Sequence, residues 1–339
     1  MRRRNTPEGG SGKVCDRFSI QSTGGASFFL CQPKGIVVPL FKNSHRRRYI
    51  GEIRVGEDKF QKKFDVVFGT AAFDLAVFSA LPASIDDEKS KKGPKHRYAK
   101  VLSGSIKVNL FDGVGTGVPC RDTVEVGGIS QKQQIIATLQ TSKGFPSRYG
   151  CASFFAFFFG FPRAESYCCS IFPLVRTDYN QQPFIKQAVG DQDSPKSFIK
   201  QAVEDHFIEP VFAFALHGEG LEGQGQLHLG LIKNDYVSHD LEYHDCVADS
   251  PFWMIDKATI TIGKYKVENV KTVFDTASRF VRGPPKEVAK IYESIERVDF
   301  TYLAEQGIYL STPFSLKSYA PEITFQWGNG KRWTIPSER

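Results

Sequence analysis

The sequence has few of the features that mark several common protein classes. No apolar run is long enough to cross a membrane, and no cysteine pair has the C-x-x-C spacing of a structural zinc site. The glycine-rich stretch 218–225 lacks the Gly-Lys-Ser/Thr ending of a phosphate-binding loop. These absences argue against a membrane-spanning protein, a zinc-stabilised fold and a P-loop enzyme. We expect no metal and no cofactor.

Cysteine usage and the start of the chain carry little information about the cellular compartment. The seven cysteines are an odd number, which does not fit a complete disulfide framework. The charged start is followed by polar, glycine-rich residues, and the apolar run 27–31 is too short for the hydrophobic part of a signal peptide. The sequence therefore shows no export signal.

Positive charge is concentrated in two clusters. The net charge is +7, with one cluster at Arg46–Arg48 and another between Lys89 and Lys100. Such clusters can bind nucleic acid or an anionic surface. Neither is accompanied by an aromatic stacking platform or a recognition helix, so we expect solvated loops and no nucleic-acid partner.

The order of apolar runs and turns predicts a mostly β protein, and its length favours two domains. The segment 122–128 (DTVEVGG) predicts a strand that ends in a Gly-Gly hairpin turn. Pro285 with Glu287 behind it predicts the start of a helix over 285–298. Further strands are expected at 35–40, 49–55, 63–68, 75–78, 106–110, 211–216, 225–231, 253–262, 270–274, 323–327 and 332–335.

Two segments about 200 residues apart resemble each other and a known family. The first, 64–77 (FDVVFGTAAFDLAV), and the second, 273–285 (VFDTASRFVRGPP), are similar to the two active-site loops of the pepsin-like aspartic proteases, nearest the fungal polyporopepsin-like branch. The opening strand 49–53 (YIGEI), the flap approach 106–117 and the strand 225–231 (GQLHLGL) follow in the family's order. The resemblance covers residues 35 to 336 and implies two related β-barrel lobes on either side of a cleft.

The resemblance also implies a division of the chain. Residues 1–34 are expected to be a disordered leader, 35–175 the first lobe, 176–208 a linker, and 209–339 the second lobe. The linker contains FIKQAV twice, at Phe184 and again at Phe198. Against the family pattern the second lobe is expected to be incomplete, because the final strands of the family have no counterpart before Arg339.

Catalysis in this family implies one aspartate from each lobe, since one carboxylate activates a water while the other protonates the peptide carbonyl. The second loop keeps Asp275, whereas the first has Gly69 at the matching position. Asp65 and Asp74 are too far along the chain to replace it. We therefore expect a peptidase homologue that is inactive, with a weakly active endopeptidase or a non-catalytic protein that binds peptides or an anionic surface as alternatives.

Further positions follow from the resemblance. Thr70 and Thr276 are expected to brace the two loops by hydrogen bonds between the lobes, and Leu110 stands where the family has its flap tyrosine. Ala71 and Ala277 replace a glycine after each Asp-Thr or Gly-Thr pair, where a methyl group is expected to crowd the loops.

Three expectations complete the sequence-based picture. The segment 157–160 (FFFG) is expected to replace the glycine-containing core strand of the first lobe. His239 and His244 are interpreted as solvated turn residues rather than metal ligands. Any partner is expected to be a peptide or protein bound by a monomer away from membranes, and the family is typically secreted or vacuolar.

Overall fold

The structure is a computed structural model. It describes residues 19–21, 27–29, 35–43, 48–78, 100–102, 104–110, 113–144, 152–153, 170–174, 196–216, 224–232, 241–278, 281–296, 300–303, 308–310 and 321–336. The strands in these ranges are β1 Ser19–Gln21, β2 Ser27–Phe29, β3 Ile36–Asn43, β4 Arg48–Val55, β5 Lys62–Gly69, β6 Ala76–Phe78, β7 Lys100–Val101, β8 Ile106–Leu110, β9 Gly113–Val126, β10 Ile129–Gly144, β11 Ala152–Ser153, β12 Ser170–Pro173, β13 Phe212–Ala215, β14 Gln224–Leu229, β15 Met254–Ile262, β16 Tyr265–Val273, β17 Arg282–Gly283, β18 Thr301–Leu303, β19 Ile308–Leu310, β20 Ile323–Trp327 and β21 Arg332–Ile335. The helices are α1 Phe198–Glu204 and α2 Pro285–Ser294, and a short 3-10 turn covers Asp58–Phe60.

The chain is mostly β, as the sequence predicts. The largest sheet has eleven of the described strands in the order β13-β14-β3-β4-β5-β12-β6-β10-β9-β7, with β8 paired to β9 beside this path. An additional pairing of β4 with β9, with Val55 opposite Val124, joins two strands that are separated along this path. The two four-stranded sheets among the described strands are open, so the expectation of a second β-barrel is corrected, while the mostly β fold class holds.

The hairpin β9–β10 forms at the predicted Gly-Gly turn. Val126 pairs with Ile129, and the two residues between them, Gly127 and Gly128, have φ of +56° and +89°. Positive φ at both central positions is what a tight two-residue hairpin requires, and glycine meets it without steric cost.

The large sheet crosses the expected boundary between the lobes. Strand β14, from the second half of the sequence, pairs with β3 so that Leu227 lies opposite Val38 and Leu229 opposite Ile36. Val38 and Leu227 are both buried in the same core. The strands 212–229 are therefore built into the sheet of the first half.

Helix α1 also belongs to that core. Its side chains Phe198, Ile199 and Ala202 are buried with the apolar residues of the large sheet. The segment 176–208, expected to be a linker, thus contributes a packed element. Within the expected leader 1–34 the described residues form the antiparallel pair β1–β2, and the other residues of this segment lie outside the described ranges.

The second half has a smaller sheet with the order β16-β15-β20-β21. Helix α2 covers one face of it through Val288, Ile291 and Tyr292, which pack with Ile262 and Ile323. Within the described residues, a further four-stranded sheet has the order β17-β11-β19-β18. No helix among the described residues is long and apolar enough to cross a membrane.

Candidate functional site

The first loop begins at the buried end of β5. Strand β12 lies parallel to β5, with Pro173 opposite Gly69. The backbone N–H of Leu174 donates to the carbonyl oxygen of Gly69 at 2.9 Å, and Phe68 and Phe172 pack with ring centroids 5.1 Å apart. The position of Gly69 is therefore fixed by a neighbouring strand and by the core behind it.

The second loop begins where β16 ends. The backbone N–H of Phe274 donates to the carbonyl of Trp253 at 3.1 Å. The next residue, Asp275, is half-buried, and its Oδ1 accepts the backbone N–H of Ala277 at 3.0 Å. This bond orients the carboxylate at the start of the turn.

The two loops are joined by a reciprocal set of threonine hydrogen bonds. Thr70 Oγ1 donates to the carbonyl of Phe274 at 2.6 Å, and Thr276 Oγ1 donates to the carbonyl of Phe68 at 2.6 Å. In addition, Thr70 N donates to Thr276 Oγ1 at 3.2 Å, while Thr276 N donates to Thr70 Oγ1 at 3.0 Å.

This exchange relates the loops by an approximate two-fold axis. Thr70 directly follows Gly69 and Thr276 directly follows Asp275, so Gly69 and Asp275 occupy equivalent places on either side of the axis. The site has a carboxylate on one side and only a backbone on the other. Asp65 lies exposed on β5 and Asp74 is buried five residues beyond Gly69, so neither occupies the equivalent position.

The chain resembles known proteins in sequence. Residues 172–339 match the model of the family described as eukaryotic aspartyl protease. Pregnancy-associated glycoprotein 2 of Sus scrofa is 25% identical over 290 residues, which cover 83% of this chain. The chain spans 59% of the length of that relative.

A solved structure shares the fold. The crystal structure of the aspartic proteinase from Irpex lacteus superposes with a TM-score of 0.61 at 13% sequence identity, covering 89% of this chain and 79% of that one. Residues 172–339 thus resemble the eukaryotic aspartyl proteases in sequence, and the chain shares the fold of an aspartic proteinase.

The expectation for the core strand beside the first loop falls on residues that the structure does not describe. Residues 157–160 were expected to take that place, but they lie outside the described residues, and the strand that pairs with β5 is β12 (SIFP). The phenylalanine-rich run at 154–159 is the stronger apolar signal in the sequence. The shorter run at 170–174 contains the strand that pairs in register with β5.

Ala277 of the second loop is accommodated differently from the expectation. The Ala277 methyl group is fully buried and packs with Val67 and Ile50 of the first half. Instead of crowding the loops, it adds an apolar contact that a glycine could not make.

Aromatic residues that the sequence analysis did not identify make further contacts near the two loops. The rings of Phe73 and Phe252 have centroids 5.1 Å apart in an edge-on arrangement. Trp253 Nε1 donates to the carbonyl of Leu174 at 2.8 Å, and the Trp253 ring packs on Phe212 at 5.3 Å. The run PFW at 251–253 was the available signal, since adjacent aromatics at the end of a loop often anchor an interface.

The structure describes only some of the remaining predicted positions. Leu110 ends β8, and its backbone pairs with Gly113 at the start of β9. Most of the two basic clusters, with residues 44–47 and 79–99, lies outside the described residues, as does His239. His244 Nε2 lies 3.0 Å from Glu242 Oε1, and no group of three metal-binding side chains occurs in the part of the chain that the structure describes.

Proposed function

We propose that this aspartyl protease relative does not cleave peptides but binds them between its two loops. The observation that carries the proposal is Gly69, at the place equivalent to Asp275. Peptide hydrolysis by a pair of carboxylates needs one group to accept a proton from water and the other to donate one to the peptide carbonyl. Asp275 alone cannot do both in one geometry.

The loops support binding even though one carboxylate is absent. The four threonine bonds, at 2.6 to 3.2 Å, keep the backbones of residues 68–70 and 274–276 together. The edge-on contact of Phe73 with Phe252 adds a second point of attachment. A binding site that is already assembled costs a ligand less ordering entropy than one that must form around it.

The test is a pair of measurements on the purified chain. The first is peptide cleavage at pH 3 to 5 beside an Asp275→Ala variant, for which we expect no turnover from either protein. Proteolysis that disappears in Asp275→Ala would overturn the non-catalytic proposal. It would instead support a weakly active endopeptidase, the second candidate, which the retained and hydrogen-bonded Asp275 favours.

The second measurement compares a peptide with its statine-type transition-state analogue. Catalysts bind such analogues about 10²–10⁸-fold more tightly than substrates. Because one of the two carboxylates that would hold the statine hydroxyl is absent, we expect the two ligands to bind this chain with affinities within about tenfold. The failure of both ligands to raise the unfolding temperature would contradict peptide binding. The assignment to the polyporopepsin-like branch stays a prediction.

A further inference from the structure

Trp253 lies where the smaller sheet meets the large sheet, close to both loops. It directly precedes β15, and its carbonyl oxygen accepts the backbone N–H of Phe274, one residue before Asp275, at 3.1 Å. Its indole Nε1 donates to the carbonyl oxygen of Leu174 at 2.8 Å. Its ring packs edge-on against Phe212 of the large sheet, with centroids 5.3 Å apart. This one residue therefore contacts both of the sheets that carry the loops.

Trp253 completes a continuous path of hydrogen bonds from one loop to the other. Leu174 uses both of its backbone groups in this path. Its N–H donates to the carbonyl oxygen of Gly69 at 2.9 Å, and its own carbonyl accepts the indole N–H of Trp253. The path runs from Gly69 through Leu174 and Trp253 to Phe274, and it contains none of the threonine bonds.

The path and the threonine exchange hold Phe274 by different groups. The carbonyl oxygen of Phe274 accepts Thr70 Oγ1 at 2.6 Å, whereas its N–H is bound by Trp253. The threonine bonds are arranged symmetrically about the two-fold axis, so they mainly oppose separation of the loops. The path depends on a single indole and is not symmetric, so it also opposes rotation of one loop against the other.

Burial makes the indole bond costly to break. Leu174 is 1% exposed, and a buried carbonyl that loses its donor keeps its desolvation penalty. Hydrogen bonds in series also polarise and strengthen one another. Loss of the bond from Trp253 to Leu174 should therefore weaken the next bond of the path, from Leu174 to Gly69.

The residue before Trp253 contacts the first half at a second place. The ring of Phe252 packs edge-on against Phe73, with centroids 5.1 Å apart. Phe73 follows Gly69 by four residues, while Leu174 is bonded directly to Gly69. Adjacent side chains of one segment thus contact the first loop on two sides, and two points of contact define an orientation that a single point could not.

We propose that Trp253 is a positioning residue, which acts through Leu174 and Phe274 to fix the orientation of the Asp275 loop relative to Gly69. In this division of roles, the threonine exchange sets the separation of the loops and Trp253 sets their relative rotation. This orientation also determines how tightly the loops bind a peptide. That last step rests on the proposed function, whereas the positioning itself does not.

Native-state hydrogen exchange in the full chain tests the positioning. The N–H groups of Thr70 and Thr276 donate across the loops at 3.2 and 3.0 Å and lie outside the path, so they report its effect at a distance. Trp253→Phe removes the indole donor and keeps an aromatic ring. Trp327→Phe is the matched control, because Trp327 Nε1 also donates one bond, to Thr272 Oγ1 at 2.7 Å, within the smaller sheet.

The two variants are compared at denaturant concentrations that give equal free energies of unfolding. In Trp253→Phe we expect Thr70 and Thr276 to exchange about three- to tenfold faster than in Trp327→Phe. Equal rates would overturn the proposal. Where Trp253→Phe does not fold, benzothienylalanine at position 253 replaces the N–H by sulfur and keeps the ring shape, and unchanged exchange of both threonines would equally overturn the proposal.

Calorimetric titration with the statine-type peptide tests the effect on binding. We expect Trp253→Phe to bind this peptide about three- to tenfold more weakly than the native chain, and Trp327→Phe to bind it as the native chain does. Equal affinities in all three proteins would overturn the role of Trp253 in binding. A native chain that binds no peptide would instead contradict the proposed function, and the exchange rates would still decide the positioning.

Discussion

Placing a carboxylate at position 69 is the most direct perturbation of the site. Gly69 ends a regular strand and is not among the glycines with positive φ, so its backbone conformation accepts an aspartate. The threonine exchange places position 69 opposite Asp275. In Gly69→Asp we therefore expect the two carboxylates to face each other across the axis.

The expected pKa difference follows from the repulsion between the two carboxylates. Two unit charges about 4 Å apart at an effective dielectric constant near 20 repel by about 4 kcal/mol, which corresponds to a pKa difference of about 3 units. One carboxyl of the pair should then hold its proton to about pH 7. Because this pKa in the folded state is raised above its unfolded value, the variant should be most stable below the ordinary carboxyl pKa and lose stability as the pH rises.

The assay is cleavage of a fluorogenic peptide by Gly69→Asp between pH 3 and 7. We expect turnover with a bell-shaped pH profile, since the pair works with one shared proton, and a gain of at least about 10²–10⁴ over the native chain. Gly69→Asn is the control of similar size without the charge. A folded Gly69→Asp protein that binds the statine-type peptide yet shows no cleavage would refute the argument that one missing carboxylate explains inactivity.

Three further predictions test the contacts around the site. Thr70→Val should lower the free energy of unfolding by about 2–4 kcal/mol, because it removes two cross-loop bonds and leaves their partners unpaired; denaturant titration beside Thr70→Ser, which keeps the hydroxyl, measures it. Trp253→Phe should cost about 1–3 kcal/mol by orphaning the buried Leu174 carbonyl, and an unchanged denaturation midpoint would contradict this. Hydrogen bonds from Tyr265 and Lys290 lower the pKa of Glu287 below its ordinary 4.5. The stability they give is present above the ordinary pKa and lost as the pH falls through the lowered one, so Glu287→Gln should flatten the acid limb of the unfolding curve measured by circular dichroism.

Local signals in the sequence predicted most of the elements. The strand at 106–110, the last two strands at 323–327 and 332–335, and the start of the helix at Pro285 agree with the structure to the residue. The Gly-Gly turn at 127–128 was evident because only glycine adopts its φ values at no cost. The helix ends at Ser294 rather than 298, a difference typical of helix ends read from sequence.

Contacts between distant segments were harder to predict. The sequence of residues 225–229 does not predict that this strand pairs with 36–40, because apolar alternation specifies a buried face and not a partner. The placement of 170–173 beside Gly69 likewise depends on a parallel register. The packing of Phe198 and Ile199 could not be predicted, because the short helix that contains them has, taken alone, the composition of a surface segment.

At the candidate site, too, local motifs could be predicted from the sequence, whereas contacts between distant segments could not. The positions of Gly69 and Asp275 could be read from the two loop motifs, since the threonines follow each of them directly. The contact of Ala277 with Val67 and Ile50 could not, because it depends on how closely the two loop backbones approach. The aromatic pair Phe73–Phe252 joins segments with no shared motif.

The threonine exchange has a consequence for how the molecule folds. Its four bonds join residues that are 204 to 208 positions apart, and contacts of such high sequence separation form late because chain closure must come first. The loops should be the last region to become protected from hydrogen exchange during refolding. Their protection would then report that both halves have reached the native state together, and neither half made separately should acquire it.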